Sequence, residues 1–228
     1  MNKVSVVMAT YNGAKFIREQ LNSFIVQSRK PDELIVVDDC STDNTLDIVE
    51  EFKNTSPFDV IIVPNKENIG SKRKYGYAHN FEKALNICTG DIIFFSDQDD
   101  VWFPQKISYH LEIYSKYKDI QMIANNAIRT NSNLAHYGLT QIDYAKISWN
   151  SFKVCIGCCY SIRKTFLKFL LPIPSFTAHD IWIDNFMSVL GLRYNIDQSL
   201  QYFRRSPEAW SVINENSNAV TVLQCYFI

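Results

Sequence analysis

The chain has 228 residues, 46% hydrophobic and 21% charged, with a formal net charge of −1. That length and balance suit a folded chain with a full core and exclude a disordered one. Near-neutrality excludes a global field steering the chain to nucleic acid or an anionic membrane, so no nucleic-acid partner is expected.

The first half alternates strand and helix patterns. Val4-Ser5-Val6-Val7-Met8 is a β-branched run leading to the turn-prone Asn12-Gly13. Phe16, Ile17, Leu21, Phe24 and Ile25 recur near helical spacing until Pro31-Asp32 breaks the pattern. Leu34 to Val37 is a second strand, ending in Asp38-Asp39-Cys40-Ser41-Thr42-Asp43, where Ser41 or Thr42 can cap the next helix. Val60 to Val63 is a third strand, stopped by Pro64-Asn65. A helix over Tyr77 to Cys88 closes at Thr89-Gly90, a C-terminal glycine signal. Ile92 to Phe95 is a fourth strand running into Ser96-Asp97-Gln98-Asp99-Asp100, and Trp102-Phe103-Pro104 opens a helix reaching Tyr117.

Strands without internal alternation are buried on both faces, as in a parallel sheet covered by helices, and the βα order predicts a Rossmann-like, doubly wound α/β architecture. Ligands bind beyond the carboxyl ends of such strands. Thr10-Tyr11-Asn12, Asp38-Asp39 and Asp97 to Asp100 all follow strand ends, so topology gathers them on one edge. In the second half, residues 125–150 are polar and read as loops or short hairpins. A strand over 153–160, a short helix near 163–170, a helix from Ile181 to Gly191 and a strand over Tyr194 to Phe203 follow. One continuous unit over 1–228 is expected, with a nucleotide-binding half at 1–103 and a more variable half at 104–228.

The six cysteines form no disulfide framework, and free thiols fit a cytoplasmic protein. Cys155 and Cys158 have CxxC spacing but no second ligand pair, so a buried strand is the better reading. Met1-Asn2-Lys3 shows no signal-peptide pattern, and no window approaches the ~20 apolar residues of a membrane helix. A soluble protein is expected, with peripheral contact at the inner face of the cell membrane left open. The run Thr221 to Ile228 ends abruptly, as a truncated chain would.

Asp97, Asp99 and Asp100 on one turn repel each other and call for a counter-charge. A hard divalent cation, magnesium or manganese, is the natural partner and keeps positions open for phosphate oxygens. The plain alternative is an acidic helix start. Thr10, Tyr11 and Asn12 can stack on and hydrogen-bond to a base, or form a simple turn. Asp38 or Asp39 can accept from a base edge or a ribose hydroxyl, or cap a helix. Gly157 permits close approach to the backbone, by a ligand or at a bulge. Asp180, beside His179 and near Trp182, is a candidate general base or an N-cap.

The segments Val4 to Gly13, Ile35 to Asp43 and Gly90 to Trp102, in that order, resemble family 2 glycosyltransferases, inverting enzymes with the GT-A fold. Asp97-Gln98-Asp99-Asp100-Val101-Trp102 and His179-Asp180-Ile181-Trp182 look most like the rhamnosyltransferase-like branch. The similarity runs over about residues 3–205. It implies transfer of a sugar from a UDP- or dTDP-sugar to a hydroxyl of a saccharide or lipid-linked saccharide, in making cell-envelope polysaccharide. It assigns Thr10, Tyr11, Asn12, Asp39 and Asp97 to the donor nucleotide and Asp99, with Asp97 beside it, to the metal. Gly157, Cys158, His179 and Trp182 fall to the sugars, and Asp180 to the catalytic base. Ser206 stands where the family often has a histidine, leaving Arg204 and Arg205 as the diphosphate clamp. Two other classes share these features: a nucleotidyltransferase, against which the loop after the first strand argues, and a non-catalytic sugar-nucleotide binder.

Overall fold

The computed structural model describes residues 2–72, 74–147 and 156–205. The readings placed on Cys155, the start of the 153–160 strand, Ser206 and the tail at 221–228 lie outside the described residues; in the described part of that run Gly157–Cys159 is a 3-10 turn, and the strand begins only at Tyr160. Four strands open the sheet: β1 (Val4–Thr10), β2 (Glu33–Asp38), β3 (Asp59–Pro64) and β4 (Ile92–Ser96). They pair in parallel in the order β3-β2-β1-β4, the switch in direction of strand order falling beside β1. Because side chains alternate across a strand, Val4, Val6, Met8, Leu34, Val36, Ile92 and Phe94 face one way. They pack on α1 (Ile17–Ile25), α2 (Thr45–Thr55) and α4 (Lys106–Lys116). Val7, Ile35, Val37, Ile93 and Phe95 face the other, against α3 (Gly76–Ile87), α6 (Leu167–Leu170) and α7 (His179–Val189). The result is a three-layer α/β unit in which each fully buried Val, Leu or Phe contributes ~1.5–3 kcal/mol.

The sheet does not stop at β4. It continues through β8 (Tyr160–Arg163), β6 (Met122–Thr130), β9 (Arg193–Arg204) and β5 (Val101–Trp102), with β7 (His136–Thr140) beside the far end of β6. Here the pairing is mixed: β4–β8, β8–β6, β6–β7 and β5–β9 are antiparallel, and only β6–β9 is parallel. The parallel pattern therefore belongs to the first half. The loops expected over 125–150 are in fact the end of a nine-residue strand, β7 and the helix α5 (Gln141–Ile147). Asn125 and Asn126 hid that strand. Both are buried at a register shift against β9, where their amides replace ladder bonds.

Two local expectations change. α2 begins at Thr45, and Asp43 rather than Ser41 or Thr42 accepts from its first backbone N–H, at 3.0 Å. Ser41 instead turns back to Asp38, donating its hydroxyl at 2.5 Å. Gly90 is no left-handed cap, since α3 ends at an extended Cys88. A Cβ on Gly90 would lie 2.6 Å from the Ser5 backbone nitrogen, so the residue is small because β1 passes over it.

Candidate active site

The carboxyl ends of β1, β2 and β4 form one edge, and hydrogen bonds knit their loops together. The Thr10 hydroxyl donates to Asp38 Oδ1 at 2.8 Å. Asn12, at φ 47°, donates its N–H to Ser41 Oγ and accepts from the Thr42 N–H at 2.8 Å. Gln98 clasps the Tyr11 backbone from both sides, accepting from its N–H at 2.9 Å and donating to its carbonyl at 3.0 Å. This leaves the Tyr11 ring 48% exposed at the edge, where a flat ligand can stack.

Asp39 has a different setting from the one its sequence position suggests. It is 3% exposed and its carboxylate accepts from Asn65 Nδ2 (2.8 Å), Ile69 N (2.8 Å) and Gly70 N (2.7 Å). Most of its hydrogen-bonding capacity therefore shapes the 65–70 loop beside the edge.

The acidic turn between β4 and β5 divides its labour. Asp100 is fully buried, accepting from the Arg204 N–H at 3.1 Å and from Gln201 Nε2 at 2.9 Å. Asp97 and Asp99 are half-buried. Carboxylate oxygens of Asp97 and Asp100 lie with the Cys158 sulfur within 4.8 Å of one another. Asp99 is not in that cluster. Burial raises the pKa of Asp97, and the Asp100, Asp99 and Asp180 charges raise it further. Burial, then Asp100, raises Asp99, and burial raises Asp100. Crowded carboxyls that resist ionising are a donor set short of positive charge, and oxygen ligands of this kind fit a hard divalent cation.

Across the site lies the start of α7. A Cβ on Gly157 would meet His179 Nε2 at 2.9 Å and Asp180 Cβ at 3.3 Å, so the 3-10 turn Gly157–Cys159 packs directly on both residues. What comes close to the Gly157 backbone is a protein side chain. His179 is 3% exposed, stacked on Phe81 with ring centroids 4.0 Å apart. Neither ring nitrogen has a hydrogen-bond partner among the described residues. Burial lowers its pKa to about 4, so it is a neutral imidazole at ordinary pH.

Two assignments change with the geometry. Trp182 does not face the sugars' side: two residues along a helix point ~200° apart, and its indole N–H donates to the Leu170 carbonyl at 2.9 Å, fastening α7 to α6. Arg204 is 2% exposed, and its guanidinium is spent inside the protein. It donates to the Asp99 carbonyl (2.7 Å), the Ser132 carbonyl and Glu19 (2.6 Å), and covers the Phe16 ring at 4.4 Å. It staples the acidic turn and is not placed to clamp a diphosphate. Arg205, half-buried and close enough to lower the Asp99 pKa, is better placed.

Three residues of the site were not read from the sequence. Tyr77 senses both acidic groups: burial raises its pKa first, then the Asp180 charge, with Tyr75 and Asp97 adding to them. Its ring meets His179 edge-on at 5.9 Å. Lys106 and Gln201 form the wall behind Asp100 and Cys158. The signal for Lys106 was its place, with Ile107, His110 and Tyr114, on the buried stripe of α4.

The family model for glycosyl transferase family 2 matches residues 5–171. The dTDP-rhamnosyl transferase RfbG of Shigella flexneri is 31% identical over 222 residues, covering 88% of this chain and 72% of that one. The UDP-Glc:alpha-D-GlcNAc-diphosphoundecaprenol beta-1,3-glucosyltransferase WfgD of Escherichia coli is 27% identical over 229 residues, covering 93% and 85%. Among solved structures, Staphylococcus aureus TarS 1–349 in complex with UDP superposes with a TM-score of 0.68 at 23% identity, covering 90% of this chain and 61% of that one. The mannosyltransferase PcManGT from Pyrobaculum calidifontis, in complex with GDP-Man and Mn2+, gives 0.67 at 20% identity, covering 89% and 56%. At those identities the structures speak for the fold, which is GT-A. The family model and the RfbG match each span most of this chain, and the chain belongs to glycosyl transferase family 2.

Proposed function

We propose that this glycosyltransferase moves a sugar from a UDP- or dTDP-sugar to an acceptor hydroxyl with inversion, in the assembly of a cell-envelope saccharide. The observation that supports this reading is geometric: the turn Gly157–Cys159 joins both acidic groups, its Cys158 sulfur lying within 4.8 Å of Asp97 and Asp100 carboxylate oxygens while a Cβ on Gly157 would lie 3.3 Å from Asp180 Cβ. Relatives named for dTDP-rhamnosyl and UDP-glucosyl transfer support the donor class. Residues 1–103 serve the donor and 104–228 the acceptor, the described strands of both parts sharing one sheet. No described helix is long and apolar enough to cross a membrane; a lipid-linked acceptor would be met at the inner membrane surface.

In this reading Thr10, Tyr11 and Asn12 bind the nucleoside, with Asp39 holding the neighbouring loop in shape. Asp97 and Asp99 would hold manganese or magnesium, while Asp100 keeps its inward bonds. Such an ion would supply Lewis-acid stabilisation of the leaving diphosphate when bound. Arg205 adds a second cation there. Asp180 takes the proton from the acceptor hydroxyl as its oxygen attacks the anomeric carbon, opposite the leaving group. Gly157 and His179 fix the position of Asp180. Bringing donor and acceptor together removes much of the entropic barrier.

Asp180→Asn tests the assignment. Turnover should fall by ~10²–10⁴-fold, with nucleotide binding unchanged in a thermal-shift titration of UDP and dTDP with and without Mn2+. Wild-type turnover in the variant would remove Asp180 from the chemistry. Tight donor binding by the wild type with no release of nucleoside diphosphate would favour the non-catalytic binder.

A further inference from the structure

Lys106 is 0% exposed, a rare place for an ammonium group. Among the described residues its contacts are neutral: the Cys158 carbonyl at 2.7 Å, the Gln201 side-chain oxygen, and the face of Trp102 at 4.1 Å. A buried charge without a touching counter-ion is costly, so it persists where a nearby field or a function compensates it. Part of the field here comes from the acidic turn. Gln201 accepts from Lys106 on one side and donates from the other to Asp100 Oδ2 at 2.9 Å and to the Cys158 sulfur at 3.2 Å. Burial lowers the Lys106 pKa, and the Cys159 and Cys158 thiols followed by the Asp100 and Asp97 carboxylates act against that. The positive end of Lys106 thus stands one amide away from Asp100 and bonds the turn that carries Gly157.

We propose that Lys106 is the fixed counter-cation of the acidic turn and a positioning residue for the reaction. Its charge weakens cation binding at Asp97 and Asp99, and its bond to the Cys158 carbonyl seats the Gly157–Cys159 turn against Asp180. This rests on the metal-assisted reading above and adds to it a residue that touches neither metal nor substrate. The two halves of the site are coupled through it: the same ammonium opposes cation charge on the donor side and holds the backbone that supports the base on the acceptor side.

The two roles have opposite signatures when the charge is removed. Lys106→Met and Lys106→Gln both delete the positive charge, and only the glutamine can still donate to the Cys158 carbonyl. Mn2+ affinity, measured with the metal alone by electron paramagnetic resonance, should tighten by at least about tenfold in both variants, because a unit positive charge lost near a dication at an effective dielectric of ~20 removes a repulsion of more than ~1.4 kcal/mol. Turnover should fall in both, and further in Lys106→Met. A merely structural lysine would loosen the site and weaken Mn2+ binding along with turnover. Unchanged or weaker Mn2+ binding in whichever of the two variants folds, beside a wild type that binds Mn2+, overturns this inference alone. A wild type that does not bind Mn2+ overturns the metal reading and this inference together.

Discussion

The two halves of the sheet place their polar residues in opposite ways. In β1, β2 and β4 the interior is apolar and the polar groups stand at the ends: Ser5 and Glu33 where the strands enter, Thr10, Asp38 and Ser96 where they leave. In β6, β8 and β9 polar groups stand inside: Asn125 and Asn126 in mid-strand, Ser161 under His110, Gln201 beneath the acidic turn. The first arrangement leaves chemistry on an open edge. The second uses polar groups as fasteners, fixing bulges and register where the sheet changes from parallel to mixed pairing. The acidic turn belongs to both, with Asp97 and Asp99 on the edge and Asp100 in the fastener network.

Their anchors should differ in pH dependence, which offers a way to sharpen the contrast. Glu33 accepts from the Ser5 hydroxyl at 2.5 Å and from the Thr89 N–H and hydroxyl, each at 2.6 Å. Burial raises its pKa, but those bonds and the Lys3 charge win and hold it at about 2 against an ordinary 4.5. A depressed carboxylate stabilises the fold above its unfolded pKa and loses that effect as pH falls toward the folded value. The stabilisation is therefore full above about pH 4.5 and fades toward pH 2. Glu33→Gln should cost roughly 3 kcal/mol at pH 7 in urea unfolding, and progressively less at lower pH. Asn126 is the counterpart in the second half. It accepts from the Ala127 N–H (2.9 Å) and the Ile142 N–H (3.1 Å) and donates to the Asp197 carbonyl (3.1 Å). Asn126→Ala leaves those groups without their partner and should cost about 2 kcal/mol, equally at pH 7 and pH 4. A pH-dependent loss at Asn126, or a flat one at Glu33, would break the comparison.

The same contrast explains what could be read in advance. Periodicity finds strands by their apolar runs, so β1, β2, β3 and β4 were legible, and the edge they share followed from topology. β6 was not, because Met122-Ile123-Ala124 gives way to Asn125-Asn126, a loop-like pair whose amides bond to the adjacent backbone and also to partners that only the fold supplies, His110, Ile142 and Asp197. Among candidate site residues, those on loops after strands were legible by position. Their roles were harder: an arginine reads as a clamp, and only the Glu19, Ser132 and Asp99 contacts turn Arg204 into a staple. Trp182 likewise looked like a wall for its neighbour Asp180, and helix geometry alone sends it the other way. Tyr77 carried no local signal, since α3 meets α7 only in the folded chain.

Gly157 marks where the two halves meet, and the smallest change tests whether they can be separated. A methyl group there would fall 2.9 Å from His179 Nε2, tighter than van der Waals contact, and 3.3 Å from Asp180 Cβ. His179 has little room to retreat, being stacked against Phe81 and close to Phe95. The strain of Gly157→Ala should therefore pass into the first turn of α7, costing about 1 kcal/mol of stability. It should lower turnover by about tenfold, because the proposed base Asp180, displaced by a fraction of an ångström, no longer reaches the acceptor proton well. The edge at Thr10, Tyr11 and Asn12, proposed above for the nucleotide, is built by other loops, so the affinity for UDP or dTDP, read by calorimetry, should stay at the wild-type value. If nucleotide affinity falls as far as turnover does, the donor edge and the base respond as one unit, and the division between an open edge and a fastened half fails at its junction.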